Sequence, residues 1–453
     1  MTAMRYDQRF SNIRLRIEYV SPSALVAAKH NPRVHGARQI KALAKSIEAF
    51  GFVAPVIADE NNVLIAGDAR VEAAKQVGLV EVPVVRVEHL DENQKRALMI
   101  ADNRLTDMSS WDDTLLAENL KLLADVELDF DIEATGFTCG EIDLRIEGVE
   151  SLPDDDPDDA VLDEVSGPAV NQVGDLWELG NHRFLCGDAL DEANWAKLMA
   201  GKRAAMTCSD FPYNVKINGH VSGLGEVRHA EFPMASGEMD KAGFTAFLRQ
   251  AFENIIRHSR SGSLHYIFMD WRHLGEMQTA GDTVFSELKN VCVWAKDRPA
   301  MGSLYRSQHE MIFVWKSGRE RHRNNVELGR NGRNRSNVWE YPGIGGFRHS
   351  DEGDLLRLHP TVKPVRMIAD AILDVTARGD IVLDPFLGSG TTIIAAERVG
   401  RRAYGMELDP VHADTAIRRY ERHSGQDAIH VETGLSFAEL AERRAAEVDA
   451  HHG

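Results

Sequence analysis

The chain has 453 residues, 43% of them hydrophobic, and a formal net charge of -18, so it is long enough for two or three domains with buried cores. This acidity excludes a protein that grips nucleic acid over its whole surface, because a polyanionic partner would be repelled, and any nucleic-acid site must be a local basic patch. The four cysteines lie far apart without metal-ligand spacing, and no apolar run approaches the roughly 18 residues of a membrane span, so we expect no metal site, no membrane segment and a reducing cytoplasmic location.

Residues 14–105 show the strand and helix patterns of a small α+β domain. Within "VAPVIADENNVLIAGDARVEAAKQVGLVEVPVVRVEHL", β-branched runs surround a polar turn, and a helix and a further strand follow. The segment "AGDARVEAAKQVG" resembles the G-x-x-R element of ParB-like domains. The resemblance implies that Gly67 and Arg70 lie at a nucleotide or phosphate site. Asp68 and Ala69 replace the glutamate and second arginine of partition proteins, so nucleotide binding and turnover stay open and a structural or DNA-docking use is favoured.

The next segments are predicted to be helical and then irregular. "DENQKRALMIADNRL" and "WDDTLLAENLKLLADV" are amphipathic, and each opens with an acid suited to an N-cap. The first ends the domain 14–105, and residues 106–149, which contain the second, are interpreted as a helical connector. In "ESLPDDDPDDAVLDE" acids and prolines crowd together with few residues able to form a core. We interpret residues 150–170 as an acidic linker.

Apolar strand runs and helices alternate again after the linker, in "AAMTCSDFPYN", "SLHYIFMD", "NVCVWAK", "MIFVWK", "DIVLDPFLGSG" and "RRAYGMELD". Runs of this kind are typical of a largely parallel sheet that is covered by helices on both faces. We therefore assign residues 171–425 to an α/β domain and residues 426–453 to a C-terminal tail.

The segment "DIVLDPFLGSGTTIIAAERVGRRAYGMELDP" is typical of a strand, a glycine turn, a helix, a second strand and an acid in succession. Glycines let the backbone approach a ligand at the helix start, and an acid about 20 residues further on can accept hydrogen bonds from ribose hydroxyls. Neither the pyrophosphate-binding G-x-G-x-x-G pattern nor the lysine of a phosphate loop is present. The pattern therefore favours a nucleoside-like ligand without a pyrophosphate, such as S-adenosylmethionine, with Glu407 at its ribose.

Four motifs in one order, "CSDFPYN", "YRSQHEMIFVWK", "LHPTVKP" and "DPFLGSGTT", resemble the β-class of amino-group DNA methyltransferases. The resemblance implies a Rossmann-like S-adenosylmethionine-dependent methyltransferase sheet behind the smaller ParB-like α+β domain. It also implies a set of cofactor-binding residues: Asp384, Pro385, Phe386, Gly388, Ser389, Gly390, Thr391, Glu407, Thr361 and Lys363.

The motif "CSDFPYN" carries the catalytic expectation. An exocyclic amine is a poor nucleophile because its lone pair is delocalised into the ring, and hydrogen bonds to a carboxylate and a carbonyl would localise it. In the resembled family these groups are Asp210 and the carbonyl of the next residue, while Tyr213 stacks on a flipped-out base and Pro212 fixes the turn. Phe211 stands where the family usually has proline. Since any residue supplies a backbone carbonyl, we expect reduced rigidity and intact chemistry.

The segment 316–350 contains the local basic patch that the overall acidity requires, and we interpret it as the target-recognition region. The arginines expected to contact DNA there are Arg319, Arg321, Arg323, Arg330, Arg333 and Arg335. An Asp in the catalytic motif favours adenine N6 as the target in double-stranded DNA. N4-cytosine methylation, and a ParB-like DNA-binding protein with a degenerate methyltransferase half, stay open as alternatives, as does a homodimer.

Overall fold

The computed structural model describes residues 15–124, 126, 128–149, 157–159, 168–214, 238–299, 304–326, 329, 333–343 and 362–452. The chain divides into two compact units, Met1–Val149 and Glu150–Gly453. Within the described ranges, none of the helices combines the length and the apolarity needed to cross a bilayer.

The first unit is built on a four-stranded sheet. Its strands are β1 (Ile17–Val20), β2 (Val56–Ala58), β3 (Leu64–Ala66) and β4 (Val82–Arg86), in the order β1-β4-β2-β3. Helices α1 (Ala37–Phe50) and α2 (Asp68–Val77) follow β1 and β3 in the chain, and α2 packs Val71 and Ala74 against the sheet. This is the small α+β domain expected from the sequence.

Three helices follow the sheet: α3 (Glu92–Asp107), α4 (Asp113–Ala124) and α5 (Cys139–Val149). Both predicted acidic caps are confirmed. The side chain of Asp91 accepts hydrogen bonds from the first turn of α3, and Asp112 Oδ1 accepts from the N–H of Leu115 (3.0 Å).

The second unit contains a ten-stranded sheet. Its strands are β5 (Leu176–Leu179), β6 (His182–Cys186), β7 (Ala204–Asp210), β8 (Ser259–Met269), β9 (Glu287–Ala295), β10 (His309–Lys316), β11 (Val338–Glu340), β12 (Ile381–Asp384), β13 (Arg402–Glu407) and β14 (Ile429–His430). Their order across the sheet is β11-β9-β10-β8-β7-β12-β13-β6-β5-β14.

The central strands β8, β7, β12, β13 and β6 are mutually parallel, as the apolar runs predict. The flanks differ from the expected parallel sheet, because β9 and β10 form an antiparallel pair, β10 is antiparallel to β8, and β5 is antiparallel to both β6 and β14. A strand pair of this kind reverses the chain direction without a crossover helix. The direction of β10 therefore decides where the residues after it lie.

Helices cover both faces of this sheet. One face is covered by α6 (Glu192–Met199), α7 (Lys241–Arg257) and α8 (Leu274–Val284), and the other by α9 (Val365–Val375), α10 (Thr391–Arg398), α11 (Pro410–Ser424) and α12 (Phe437–His452). Successive strand residues point to opposite faces, so Ile267 and Phe268 belong to different cores. The expected Rossmann-like α/β architecture is confirmed.

The residues assigned to a C-terminal tail belong to the folded unit. β14 adds an edge strand to the sheet by pairing with β5, and Phe437 and Leu440 of α12 are buried in the core. Arg444 binds both carboxylate oxygens of Asp175. A strand pattern is hard to detect here in the sequence because β14 has only two residues.

The parallel strands all end at one edge of the sheet, which we call the C-terminal edge. Asp210 at the end of β7 lies opposite Phe268, and Glu407 at the end of β13 lies opposite Cys186. The start of β10 is at this edge too, because Met311 lies opposite Met269. In parallel α/β sheets, ligands bind beyond this edge where successive helices go to opposite faces. Here the helices that follow β7 and β12, α7 and α10, lie on opposite faces of the sheet.

Candidate active site

Four side chains meet at the end of β7. The hydroxyl of Tyr213 lies 2.6 Å from Asp210 Oδ1 and 2.9 Å from Glu310 Oε2. Lys363 Nζ donates to Asp210 Oδ2 (2.5 Å) and lies 3.2 Å from Glu310 Oε2. Because a phenol has one proton, Tyr213 can donate to only one carboxylate at a time.

The charges of this cluster are set by burial and by two lysines. Burial alone would raise the pKa of Glu310, but Lys363 and Lys296 outweigh it and lower that pKa to about 2. Lys296 Nζ donates to Glu310 Oε1 at 2.5 Å. For Asp210, burial raises the pKa even though Lys363 opposes it. Asp210 is therefore the carboxylate in the cluster with the greater affinity for a proton.

Glu310 is not expected at this site from the sequence, although the motif "YRSQHE" contains it. Strand pairing supplies the missing information, because β10 begins at the C-terminal edge beside β8 and so brings Glu310 to Tyr213. The sequence predicts Lys363 on the cofactor side, and the structure places its ammonium at Asp210 instead. Thr361, expected beside it, lies outside the described residues.

The turn after Asp210 is held at both of its ends. Phe211 is only 1% exposed, and its ring packs against Phe386 at 4.5 Å and Phe252 at 5.5 Å between centroids. Asn214 has a left-handed backbone (φ 51°), and its side-chain amide donates to the carbonyl of Met239 (2.8 Å). Pro212 and Tyr213 are half-buried between these anchors.

The glycine turn between β12 and α10 is tied to the catalytic strand by Asp384. This buried carboxylate accepts from Ser209 Oγ on β7 and from Thr392 Oγ1, both at 2.7 Å. Burial raises the pKa of Asp384 to about 6. Asp384 and the buried Pro385 thus act as scaffold for the turn, and Phe386 is half-buried beside them.

Three further residues expected to bind the cofactor, Ser389, Gly390 and Thr391, are also in contact with other residues of the protein. Arg419 Nη1 donates to the carbonyl and hydroxyl of Ser389 (2.8 Å each) and lies 3.2 Å from Thr391 Oγ1. Gly390 is left-handed (φ 87°), and a Cβ there would lie 2.9 Å from Ala416 Cβ. Ser389, Gly390 and Thr391 therefore form the back of the turn.

Gly388 and Glu407 form the open side of the turn. Gly388 is left-handed (φ 56°), and a Cβ built on it would meet nothing within 4 Å. Glu407 Oε2 accepts from the N–H of Gly388 (2.8 Å), and Oε1 accepts from the N–H of Asp409 (2.9 Å). Each carboxylate oxygen keeps a second lone pair for a ligand hydroxyl. This half-buried acid beside an open glycine fits a ribose.

The arginines expected to contact DNA do not form one surface. Arg319, Arg321 and Arg323 are exposed, but they follow the last residue of β10, whose Lys316 lies opposite Leu264 near the start of β8. They therefore lie at the opposite edge of the sheet from Asp210, since the seven residue steps of β10, at roughly 3.3 Å each, separate the two edges.

Two of the remaining arginines of that segment correct the expectation that they contact DNA. Arg333 is only 7% exposed and binds Asp370 and Asp374. Arg335 pairs with the same two carboxylates and lies 2.9 Å from the Tyr341 hydroxyl. Arg330 lies outside the described residues. Arg333 and Arg335 are thus engaged in holding the segment to α9.

In the first unit, Gly67 and Arg70 lie together at the start of α2. Gly67 is left-handed (φ 103°), and a Cβ there would lie 2.6 Å from Val56 Cγ1, so the position requires glycine. Arg70 Nη1 donates to the carbonyls of Ala54 (2.7 Å) and Pro55 (3.0 Å). A phosphate role for this pair stays a prediction.

Three family descriptions match successive parts of the chain. "DNA methylase" matches residues 204–418, "ParB N-terminal domain" matches 7–104, and "ParB-methyltransferase HTH domain" matches 114–173. The third includes α5 and all but the first residue of α4, which are predicted from the sequence only as a helical connector.

Known methyltransferases are similar to the chain. Type II methyltransferase M2.DpnII of Streptococcus pneumoniae is 31% identical over 232 residues, which are 48% of this chain and 82% of that protein. Type II methyltransferase M.BglII of Bacillus subtilis is 39% identical over 87 residues, 19% of this chain, and the match spans only 23% of that protein. The crystal structure of the M1.HpyAVI–SAM complex is similar over 52% of this chain and 98% of that chain, with 17% identity and a TM-score of 0.36.

Proposed function

The chain belongs to the DNA methylase family of amino-group methyltransferases and carries an N-terminal ParB-like domain, and on that basis we propose that it methylates the N6 amine of adenine in double-stranded DNA. Its methyl donor is S-adenosyl-L-methionine, which supplies an electrophilic methyl group. The observation that carries the proposal is the cluster of Asp210, Tyr213, Glu310 and Lys363 beside the glycine turn.

Asp210 performs the central step by accepting a hydrogen bond from the target amine. Its two oxygens already contact Tyr213 and Lys363, but each retains a lone pair, and Tyr213 can turn its proton to Glu310. With one N–H held by Asp210 and another by the carbonyl of Phe211, the nitrogen lone pair is withdrawn from the ring and aimed at the methyl carbon.

The proton of the amine also needs an acceptor. As nitrogen bonds to the methyl carbon, the electrons of the broken carbon–sulfur bond remain on sulfur, and the nitrogen must lose one proton. Burial raises the pKa of Asp210, which makes this carboxylate a better proton acceptor than an ordinary aspartate. Lys363, whose pKa is raised by both acids despite its burial, stays protonated and holds Asp210 in place.

The open side of the glycine turn is the proposed cofactor site. Gly388 allows close approach of a ligand to the backbone, Phe386 offers a half-buried ring, and Glu407 accepts hydroxyl hydrogen bonds. Asp384, Pro385, Ser389, Gly390 and Thr391 support this site from behind.

We expect Glu407→Ala to weaken S-adenosylmethionine binding by about 1.5–3 kcal/mol, the usual value of hydrogen bonds to a charged group. Glu407→Gln keeps one carbonyl oxygen and should lose less. Isothermal titration calorimetry on the full chain measures both, with Glu432→Ala, a surface acid paired with Lys197, as the matched control. Equal affinity in wild type and Glu407→Ala would remove Glu407 from the site.

We propose that DNA contacts residues 296–299 and 304–308, on either side of the connection between β9 and β10 at the C-terminal edge. Lys296 and Gln308 close the base of this connection, where the N–H of Lys296 donates to the carbonyl of Gln308 (2.9 Å), and Glu310 of the cluster lies two residues further on. Leu304 and Tyr305 are 84% and 85% exposed. Arg298 and Arg306, on either side of the loop, are exposed too. Exposed aromatic and basic side chains beside a base-flipping site suit contact with a duplex.

This placement predicts different outcomes for two matched pairs of arginines. Replacing Arg298 and Arg306 by alanine should weaken DNA binding and reduce its salt dependence by up to about one unit for each phosphate that the protein no longer neutralises. The same change at Arg319 and Arg321, at the opposite edge, should have much less effect. Fluorescence anisotropy over a salt series measures both. If only the Arg319 and Arg321 variant shows a reduced salt dependence of DNA binding, DNA binds at the opposite edge of the sheet and the proposed placement is wrong.

The proposed base is tested by methylation in a host that lacks DNA methylation. Long-read sequencing would locate the modified bases, and nucleoside digestion would separate N6-methyladenine from N4-methylcytosine. If N4-methylcytosine is the only modified base, the target is the N4 amine of cytosine and not the N6 amine of adenine. No modification of any DNA by wild type, with intact S-adenosylmethionine binding, would favour the alternative of a ParB-like DNA-binding protein with a degenerate methyltransferase half.

A further inference from the structure

The acidic segment before the methyltransferase fold contains a short turn that packs onto that fold. Residues Pro157–Asp159 form a 3₁₀ turn in which Asp159 is only 6% exposed. The sequence predicts an acidic linker here because acids and prolines crowd together with few residues able to form a core. Burial of a carboxylate is unfavourable unless it is hydrogen-bonded, so Asp159 is expected to have a hydrogen-bond donor in the fold.

Asp159 holds the start of α9. Its Oδ1 accepts from the N–H of Val365, the first residue of the helix, at 2.7 Å. Pro364, at the cap position, provides no side-chain hydrogen bond, so Asp159 supplies an acceptor that the helix lacks locally. A carboxylate is also favoured at this positive end of the helix. Lys363, which binds Asp210, lies two residues before Val365 in the chain.

Asp158 is connected to the second segment of the site, the glycine turn between β12 and α10. Its carboxylate pairs with Arg398 of α10 and with His423 Nδ1 of α11, the latter at 2.7 Å. Its backbone carbonyl accepts from Arg419 Nη2 (2.9 Å). The same guanidinium binds Ser389 and Thr391 through Nη1, so one buried arginine joins the acidic turn to the glycine turn.

We infer that the turn 157–159 is a positioning element of the methyltransferase site, and this rests on the proposed function only for its effect on DNA methylation. Through Arg419 it holds the carbonyl and hydroxyl of Ser389 and the hydroxyl of Thr391 behind the proposed cofactor site. Through the start of α9 it fixes the backbone that carries Lys363. Asp158 and Asp159 are positioning residues, because the contacts that the structure describes for them are with Val365, Arg398, Arg419 and His423.

Calorimetry with S-adenosylmethionine on the full-length chain tests the connection through Arg419 to the glycine turn. Asp158→Ala should weaken binding several-fold, because the turn loses its attachment to Arg398 and His423 and no longer holds Arg419. Asp159→Ala should lower the single-turnover rate of DNA methylation several-fold, because the start of α9, which carries Lys363, loses the acceptor that holds it. Asp159→Asn keeps the accepting oxygen and should restore the rate.

The control is the melting temperature of every variant. Wild-type affinity and rate in folded Asp158→Ala and Asp159→Ala proteins would overturn the inference, and so would a lowered melting temperature with unchanged affinity and rate, since a purely structural role predicts that result. A wild type that binds S-adenosylmethionine but methylates no DNA would overturn the proposed function alone. The affinity of Asp158→Ala would still decide the positioning role.

Discussion

Asp210→Asn is expected to slow methyl transfer by about 10²–10⁴-fold, the usual contribution of a positioned proton acceptor. The substitution preserves the shape of the side chain and one accepting oxygen but removes the negative charge, so the amine is held more weakly and its proton has no basic acceptor. Affinity for S-adenosylmethionine should stay close to wild type, because the residues proposed to hold the cofactor, Gly388 and Glu407, bind each other and not Asp210. Tritiated methyl transfer to unmethylated DNA measures the rate.

Asp270→Asn is the matched control for this prediction. Asp270 directly follows the neighbouring strand β8, contacts Arg272, and caps a short turn that asparagine can also cap. Its variant should methylate at the wild-type rate. If Asp210→Asn methylates as fast as wild type, the catalytic assignment fails.

The pH dependence of the wild-type rate gives a second readout of Asp210. The carboxylate must be ionised to accept the amine proton, and its burial raises its pKa. The rate should therefore fall on the acid side at a higher pH than an ordinary aspartate would give. Glu310, with a pKa of about 2, stays ionised over that range and does not contribute to the fall.

The local sequence predicts many of the residues of this site, but it does not predict how they come together. The motif at 208–214 and the glycine turn each bring neighbouring residues together, so their chemistry can be predicted from the residue types. The contact between Asp210 and Lys363 joins positions 153 residues apart, and only the packing of α9 against the sheet creates it. Glu310 enters the cluster through the pairing of β10 with β8.

The basic segment shows why composition alone misplaces a surface. Arg319 and Arg321 follow a strand whose direction is reversed relative to β8, and this reversal carries them away from Asp210. A parallel strand would have brought its following loop to the C-terminal edge. Strand direction depends on pairing partners, which a run such as "MIFVWK" does not reveal.

Phe211→Pro, which restores the proline usual in the resembled family, is expected to destabilise the methyltransferase unit by about 3–5 kcal/mol, the range for removing a buried phenyl ring. The sequence alone suggests a harmless change, since proline supplies the same carbonyl on a stiffer backbone. The structure places the ring in a core with Phe252 and Phe386, where proline would leave a cavity. Chemical denaturation of the full-length chain measures the loss.

Phe211→Leu is the control, because leucine keeps most of the apolar packing and the same backbone carbonyl. It should be less destabilised and should retain methyl transfer, while Phe211→Pro should also bind S-adenosylmethionine less tightly because Phe386 loses its packing partner. A Phe211→Pro protein as stable and active as wild type would show that the ring is dispensable. An inactive wild type beside an active Phe211→Pro variant would mean that phenylalanine at this position has switched off a methyltransferase fold that still holds every other member of the cluster.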